Sequence, residues 1–449
     1  MATIPVSEVS LSASAPVNQA ERITSLDTLR GFALLGILLM NIVAMSMTFA
    51  AYDDPTVAGG STGANLWVWT AMHILAEGKM RCLFSMVFGA SVILLTSRLE
   101  RSGAPSADIY YRRTLWLMLF GILHAYFLWA GDILYPYALC GLALFPFRNM
   151  APRKLLLIGG IIAVLDMALY VGGGFFFREV ISKGQAAIAA EQSGKKLTEE
   201  QQSEKRSYEQ WRRSNRPTAE ELKKDGDEWR GSPAKVIAAR AKVVSPGHNK
   251  AYYSPLWGSW DIFSMMFIGM GLFKLGVFSA ERSTRFYVLT TLIGYGIGLP
   301  LNSISAWIII KNHFDPAIHT FAQSSYDIGR LSVALGHMGL IMLLCKFGAM
   351  KWLTSSLGAI GQMAFSNYIT QSIITAFLFT GYGFALYGKL QRYQIYYVVA
   401  AIWVFQMIAS PIWLRHFRFG PLEWGWRSLT YWKRQPMRLD SGRTMEAGA

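Results

Sequence analysis

Ser25-Leu-Asp27-Thr-Leu-Arg30-Gly-Phe-Ala-Leu-Leu-Gly-Ile-Leu-Leu-Met-Asn41 decides the fold class. Asp27 and Arg30 stand one helical turn apart at the start of an apolar run. Asn41 follows three turns further on, on the face of Arg30. The apolar residues between them cover every side of the helix instead of forming one stripe. That is the pattern of a helix solvated by lipid. Its polar positions are costly in hydrocarbon and call for a partner or a role.

The remaining sequence repeats this pattern. Hydrophobic residues make up 52% of the chain and charged residues 16%, with a mean hydropathy of +0.28. About ten runs approach the ~20 apolar residues that a bilayer crossing needs. They lie near 29–49, 80–97, 113–131, 133–148, 154–176, 258–279, 286–309, 327–347, 357–380 and 394–414. The prediction is an all-α, polytopic transmembrane bundle with no room for a large soluble domain. Its expected surroundings are the lipid bilayer.

A net charge of +15 would point to nucleic acid in a soluble protein. Here the tendency of basic loops to stay cytoplasmic accounts for it, and no nucleic-acid partner is expected. Every second loop is basic, through Arg98, Arg101, Arg112 and Arg113, then Arg148, Arg153 and Lys154, then Lys274, Arg282 and Arg285, then Lys346 and Lys351. The intervening 50–65 loop carries Asp53 and Asp54 and no Lys or Arg. Both termini are therefore predicted to be cytoplasmic.

The chain divides into five parts. Residues 1–24 read as a disordered cytoplasmic tail without the basic start of a signal peptide. An N-terminal membrane half at 25–177 and a C-terminal membrane half at 255–416 flank a polar, helical, extracytoplasmic loop at 178–254. Residues 417–449 form a cytoplasmic tail. Cys82, Cys140 and Cys345 fall in or beside apolar spans with no CxxC or Cys/His spacing, so no disulfide framework and no metal site is expected. The stretch Leu66–Arg98 is too long for one perpendicular span. Either Leu66–Ala76 lies at the interface with Trp67 and Trp69 in the aromatic belt, or the helix breaks at Gly78 to line a cavity. The first reading is preferred.

Threading each span by its orientation gathers polar groups in the central and outer bundle. His124 falls mid-membrane and Asp132 at the outer edge. Arg330 and His337 share a face two turns apart. Asp166 is central in its span, Asn367 and Gln371 are central and one turn apart, and Glu77, Lys79 and Arg81 reach the outer interface with His73. Each has a plain alternative. Asn367 and Gln371 could be interhelical glue, Asp132 a helix edge, and Glu77, Lys79 and Arg81 headgroup anchors. A mid-span imidazole such as His124 is harder to assign to packing alone. No Walker loop, GxGxxG, GxSxG or HExxH signature competes.

The C-terminal stretch Phe417-Arg-Phe-Gly-Pro-Leu-Glu423-Trp-Gly-Trp-Arg427-Ser-Leu-Thr-Tyr431 closely resembles the terminal signature of the YeiB-like family, domain of unknown function 418. Gly361-Gln-Met-Ala-Phe-Ser-Asn367-Tyr-Ile-Thr-Gln371-Ser fits the same pattern, as do Glu77-Gly-Lys79 and Gly121-Ile-Leu-His124 with Gly131-Asp132. That resemblance implies a bacterial inner-membrane protein. More distantly, Leu26-Asp27-x-Leu-Arg30-Gly31 is similar to the opening of transmembrane acyltransferases, which makes the N-terminal half acyltransferase-like. Such proteins move an acyl group from a cytoplasmic donor such as acyl-CoA to an acceptor outside. Their His after ten intervening residues is replaced here by Asn41, and asparagine is no general base.

Two functions lead from these expectations. In the first, acyl transfer to a small-molecule or envelope-glycan acceptor, His124 is the base and Asp132 orients it, with His337 the less favoured base. Asp27, Arg30, Asn41, Glu77, Lys79, Arg81, Arg330, His337, Asn367 and Gln371 would bind donor or substrate. Glu423 and Arg427 would fix the C-terminal segment at the inner mouth. No resident cofactor is implied, acyl-CoA being a substrate. In the second, a transporter, the same groups bind cargo or relay protons. A non-catalytic scaffold or sensor is the third.

Overall fold

The computed structural model describes residues 23–253 and 259–439. The expected disordered stretch at the N-terminus, but for its last two residues, and the last ten residues of the C-terminal tail lie outside the described residues. Among the described residues regular structure is helical, apart from one isolated bridge between Phe417 and Arg438.

The first part of the chain forms α1 (Thr24–Ser46), α2 (Ala50–Asp53), α3 (Gly63–Leu75), α4 (Lys79–Arg101), α5 (Ser106–Phe127), α6 (Leu134–Leu144) and α7 (Pro152–Gln192). The polar stretch forms α8 (Glu199–Asn215), α9 (Ala219–Trp229) and α10 (Pro233–Tyr253). The remainder forms α11 (Trp260–Lys274), α12 (Thr284–Lys311), α13 (Pro316–Ala322), α14 (Tyr326–Phe347), α15 (Lys351–Gln362), α16 (Ala364–Phe379), α17 (Arg392–Leu414) and α18 (Pro421–Tyr431).

Six stretches are long and apolar enough to cross a membrane by length and composition: α1, the run through α3 and α4, α7, α12, α14 and α17. The other four expected spans fall on elements that are shorter or less apolar. The 133–148 span becomes the 11-residue α6, and the 258–279 span the 15-residue α11. The 357–380 span divides into α15 and α16 at Met363. The 113–131 span is cut short where α5 ends at Phe127, so His124 occupies a last helical turn and not mid-span. Short helices survive here because protein, not lipid, surrounds their ends.

Hydrocarbon offers no hydrophobic drive for helix association, so close backbone approach takes its place. Gly31 of α1 packs on Leu357 of α15, while Gly361 of α15 packs on Asp27 of α1. Gly89 of α4 and Gly269 of α11 repeat the arrangement against Met266 and Met86. Gly294, Gly298, Gly329 and Gly336 let α12 and α14 pack antiparallel. Helices before and after the polar stretch are thus interleaved. With Leu29, Ala33, Leu34, Leu38, Ile42 and Val43 fully enclosed, α1 is the central helix of the bundle.

The chain breaks at Gly78, whose φ of +68° suits glycine and whose missing Cβ leaves room for the Tyr326 hydroxyl. The break in Leu66–Arg98 is therefore real and buried. Trp67 is 76% exposed and keeps its belt character, but Trp69 is buried edge-on to Phe314.

At 41 residues, α7 measures ~60 Å, about twice the thickness of a hydrocarbon core. Leu157, Val164, Leu165 and Leu169 on it are bare and suited to lipid. The helix runs through residue 178 without interruption and carries α8 on its far end. Thr198 with Gln201 and Thr218 with Glu221 form the capping boxes that start α8 and α9. The corner after α9 docks on the loop between α16 and α17. There Arg230 Nη1 donates to the Tyr387 carbonyl at 2.7 Å and Gly381 N–H to the Trp229 carbonyl at 2.9 Å.

Candidate functional site

Two cavities approach each other from opposite ends of the bundle. The first, of about 250 Å³, opens at the end where α1 begins. Its mouth carries Asp27, Arg30, Arg98, Arg113, Glu423 and Arg427, and its blind end is walled by Phe84, Phe88, Leu117, Ile133, Tyr137 and Tyr368. The second, of about 600 Å³, lies at the other end beneath α8 and is lined by Asp53, Asp54, Asp166, His319 and Trp211, among others. One mouth is basic and the other acidic.

Glycines and caps set the first mouth. Arg30 Nη1 donates to Asp27 Oδ1 at 2.5 Å and to the Gly361 carbonyl at 3.3 Å, and Nη2 donates to Ser91 Oγ at 3.1 Å. The pair is thus fixed against α15 and α4 at once. The Arg113 guanidinium lies 3.8 Å from the centre of the Trp426 ring. Glu423 of α18 caps the start of α16. Its Oε1 accepts from the backbone N–H of Phe365 at 2.7 Å and Ser366 at 3.1 Å, and its Oε2 from Ser366 Oγ at 2.5 Å. Burial pushes its carboxyl above the usual range, against the pull of those hydrogen bonds. Arg427 sits over the Phe419 ring at 4.6 Å. Glu423 is thus held by the N-terminus of α16.

Beyond the blind end stands a hydrogen-bonded chain of three side chains. His124 Nδ1 is 2.7 Å from Asp132 Oδ1, and His124 Nε2 is 2.8 Å from Ser372 Oγ. Asp132 Oδ2 accepts from Tyr135 N–H at 2.7 Å, so the carboxylate cannot swing. His124 is 2% exposed and Ser372 fully buried. The α5–α6 hairpin makes the pairing, and Gly121 makes the room, since a Cβ there would stand 2.3 Å from Tyr135 N. Tyr368, one turn before Ser372, divides this chain from the cavity, its ring 5.0 Å from that of His124. On the far side α10 covers the hairpin: Arg240 Nη1 donates to the Phe127 carbonyl at 2.6 Å, and the His248 ring lies 4.3 Å from that of Tyr135.

A buried ionic cluster separates the two cavities. Arg330, 1% exposed, meets Asp261 at 2.8 Å and Asp166 at 3.9 Å, and also pairs with Asp327. Arg81 joins Asp261 at 2.6 Å. Tyr137 of the first cavity hydrogen-bonds the Arg81 carbonyl at 3.3 Å, while Asp166 lines the second. His73 Nδ1 pairs with Glu77 Oε2 at 2.7 Å, and Lys79 Nζ donates to the His73 carbonyl at 2.6 Å. Glu77 and Lys79 are buried, while Arg81, its side chain partly exposed, reaches inward to Asp261.

Other expected site residues lie elsewhere. His337 has both ring nitrogens engaged, Nδ1 with Tyr295 Oη at 2.8 Å and Nε2 with the Leu75 carbonyl at 3.0 Å, and it braces the α3–α4 break. Asn367 Nδ2 donates to Ser410 Oγ at 3.0 Å, and Gln371 Nε2 to Gln406 Oε1 at 2.9 Å, so these two hold α16 to α17. Asn41 is half-buried and lines neither cavity. Sequence reasoning missed Ser372, Asp261 and Asp327. Ser372 stood within a quoted motif, but a serine on an apolar helix gives no signal of its own.

Comparison with known proteins places the sequence in a family. Residues 272–433 match a profile described as "Protein of unknown function (DUF418)". The chain is 30% identical over 416 residues to the uncharacterised protein YeiB of Escherichia coli strain K12, covering 91% of this chain and 96% of that protein. The chain belongs to the DUF418 family. A second relative, the uncharacterised protein YxaH of Bacillus subtilis strain 168, is 28% identical over 447 residues, 95% of this chain and 98% of that protein. No solved structure matches. The DUF418 match covers Arg330, Ser372 and Glu423, and the YeiB match spans nearly the whole chain.

Proposed function

We propose that this DUF418 protein transfers an acyl group across a bacterial inner membrane, from an acyl-CoA donor on the cytoplasmic side to an acceptor outside. The reading rests on one observation: the Asp132–His124 pair stands behind the apolar end of a cavity whose mouth is basic. Arg30, Arg98, Arg113 and Arg427 suit the phosphates of a CoA-type donor. The apolar depth suits its acyl chain. With Nδ1–H donated to Asp132, His124 presents Nε2 as a proton acceptor, the tautomer a general base needs. Both termini are then cytoplasmic, and a hydroxyl or amine of a small molecule or envelope glycan takes the acyl group. Labelled acetyl-CoA enclosed with the protein in proteoliposomes, with a cell-envelope extract outside, tests the reading. Label should appear in the extract, and His124→Ala should lower the rate about 100-fold or more. Equal transfer by that variant refutes it.

Transport is the second reading, and the buried Arg330 cluster between the two cavities favours it. Intramembrane charges of this kind often line substrate or proton paths. Flux of a solute without covalent change would support transport over transfer.

A further inference from the structure

We propose that Ser372 is the nucleophile of this site, carrying the acyl group as a serine ester between donor and acceptor. The inference rests on the acyl-transfer reading and gives it a covalent step. Nucleophile, base and orienting carboxylate are in hydrogen-bond reach in the required order, at 2.8 Å from Ser372 Oγ to His124 Nε2 and 2.7 Å from His124 Nδ1 to Asp132. The hydroxyl that His124 is placed to deprotonate is that of Ser372, because it already occupies Nε2.

Packing alone explains Ser372 less well. Thr370 and Thr375 on the same helix and Thr380 at its C-terminal cap donate to the carbonyl four residues back at 2.8, 2.9 and 2.8 Å, as helical hydroxyls do. The corresponding Ser372 contact, to Tyr368, is stretched to 3.3 Å, and its short bond goes to His124. Trp129 stands edge-on to His124, and its buried Nε1 has no hydrogen-bond partner among the described residues. An idle N–H beside the base is available to an oxyanion.

A covalent carrier also suits the site's two covers. Tyr368 stands between Ser372 and the donor cavity, and α10 between the hairpin and the other side. An ester on Ser372 lets donor and acceptor visit in turn, with no open path between compartments.

The first step moves the Ser372 proton to His124 Nε2 as Oγ attacks the carbonyl carbon of an acyl thioester. The C–O bond forms, the C–S bond breaks, and the leaving thiolate takes the proton from the imidazolium. In the second step His124 takes a proton from the acceptor hydroxyl or amine, which attacks the ester carbonyl. The bond to Oγ breaks, and the proton returns to Ser372.

The test uses the full chain in lipid nanodiscs with [14C]acetyl-CoA and no acceptor, quenched in acid. The expected result is label on the protein at up to one acetyl per chain, located by mass spectrometry on the peptide containing residue 372. Ser372→Ala should abolish it, and His124→Ala should slow it about 100-fold. Ser372→Cys should restore label in a form that neutral hydroxylamine strips, which also shows that the position tolerates change. The inference is overturned if the parent transfers acetyl to an envelope extract with no labelled protein at any quench time, or if Ser372→Ala transfers as fast as the parent. In both cases the acyl-transfer reading stands, with direct transfer at His124. Absence of both label and transfer overturns the two together.

Discussion

Gly31 and Gly361 meet back to back: a Cβ on Gly31 would stand 1.9 Å from the Leu357 carbonyl oxygen, and one on Gly361 1.9 Å from that of Asp27. This contact joins α1 to α15 beside the cavity with the basic mouth. Gly31→Ala and Gly361→Ala should each cost about 1–3 kcal/mol or more, seen as a lower thermal midpoint in detergent. The double variant should lose less than the sum, because one methyl already makes the gap that the second needs.

Asp132→Asn keeps the shape of the hairpin but removes the acceptor for His124 Nδ1–H. The ring then favours the tautomer with its proton on Nε2, which cannot act as a base. Acetyl transfer should fall ~10²–10⁴-fold while the thermal midpoint moves little.

Glu423→Gln replaces a charged cap on α16 with a neutral one. A loss of about 1–2 kcal/mol is expected. Hydrogen exchange should show it locally, as faster exchange at Phe365 and Ser366, whose amides donate to Glu423. Unchanged exchange there would contradict the cap.

Asp261→Ala leaves Arg330, 1% exposed, and Arg81 without the carboxylate that both share. Arg330 keeps Asp327 and Asp166, so the loss is that of the hydrogen-bonded pairs to Asp261, about 1–3 kcal/mol, read as a lower thermal midpoint in detergent. Asp261→Asn, which keeps the oxygen and the volume, should be milder.

Glu221 lies on α9, outside the long apolar helices, where two hydrogen bonds from Arg212 and the capping box on Thr218 hold its carboxyl down at about 2. Its folded value is depressed, so its contribution to the α8–α9 joint is full above the ordinary value of 4.5 and is lost as pH falls through about 2. A carbon-13 titration of that carboxyl should have its midpoint near 2, with the joint intact at pH values where ordinary glutamates are half protonated. A midpoint near 4.5 would show the pair absent in solution.

The membrane character was legible in α1 alone, because an apolar run on all sides has no other solvent. His124 and Asp132 were legible as a pair because each is expensive on an apolar hairpin and they lie eight residues apart across one turn. Ser372 was not, since a hydroxyl can always bond its own helix. Asp261 starts α11, where an acidic residue passes as a complement to the helix dipole. Asn367 and Gln371 were open to two readings, a site or glue between helices. Amides deep in a span look like a site, yet a partner amide on α17 satisfies Gln371 fully at close range. Chain order gave no hint that α1 packs on α15 or α4 on α11, because glycine pairs distant in sequence make those contacts.

Between the cavities, the path from Tyr137 through Arg81, Asp261 and Arg330 to Asp166 is only a few side chains thick. Where water fills both cavities of the membrane-embedded chain, the insulating layer narrows to that septum. The voltage of an energised membrane, otherwise spread over ~30 Å of hydrocarbon, then drops mainly across these five residues. One elementary charge carried past them exchanges about 2.3 kcal/mol per 100 mV with the membrane potential. With both cavities wet, Arg330 and its carboxylates would then be the groups that feel that potential.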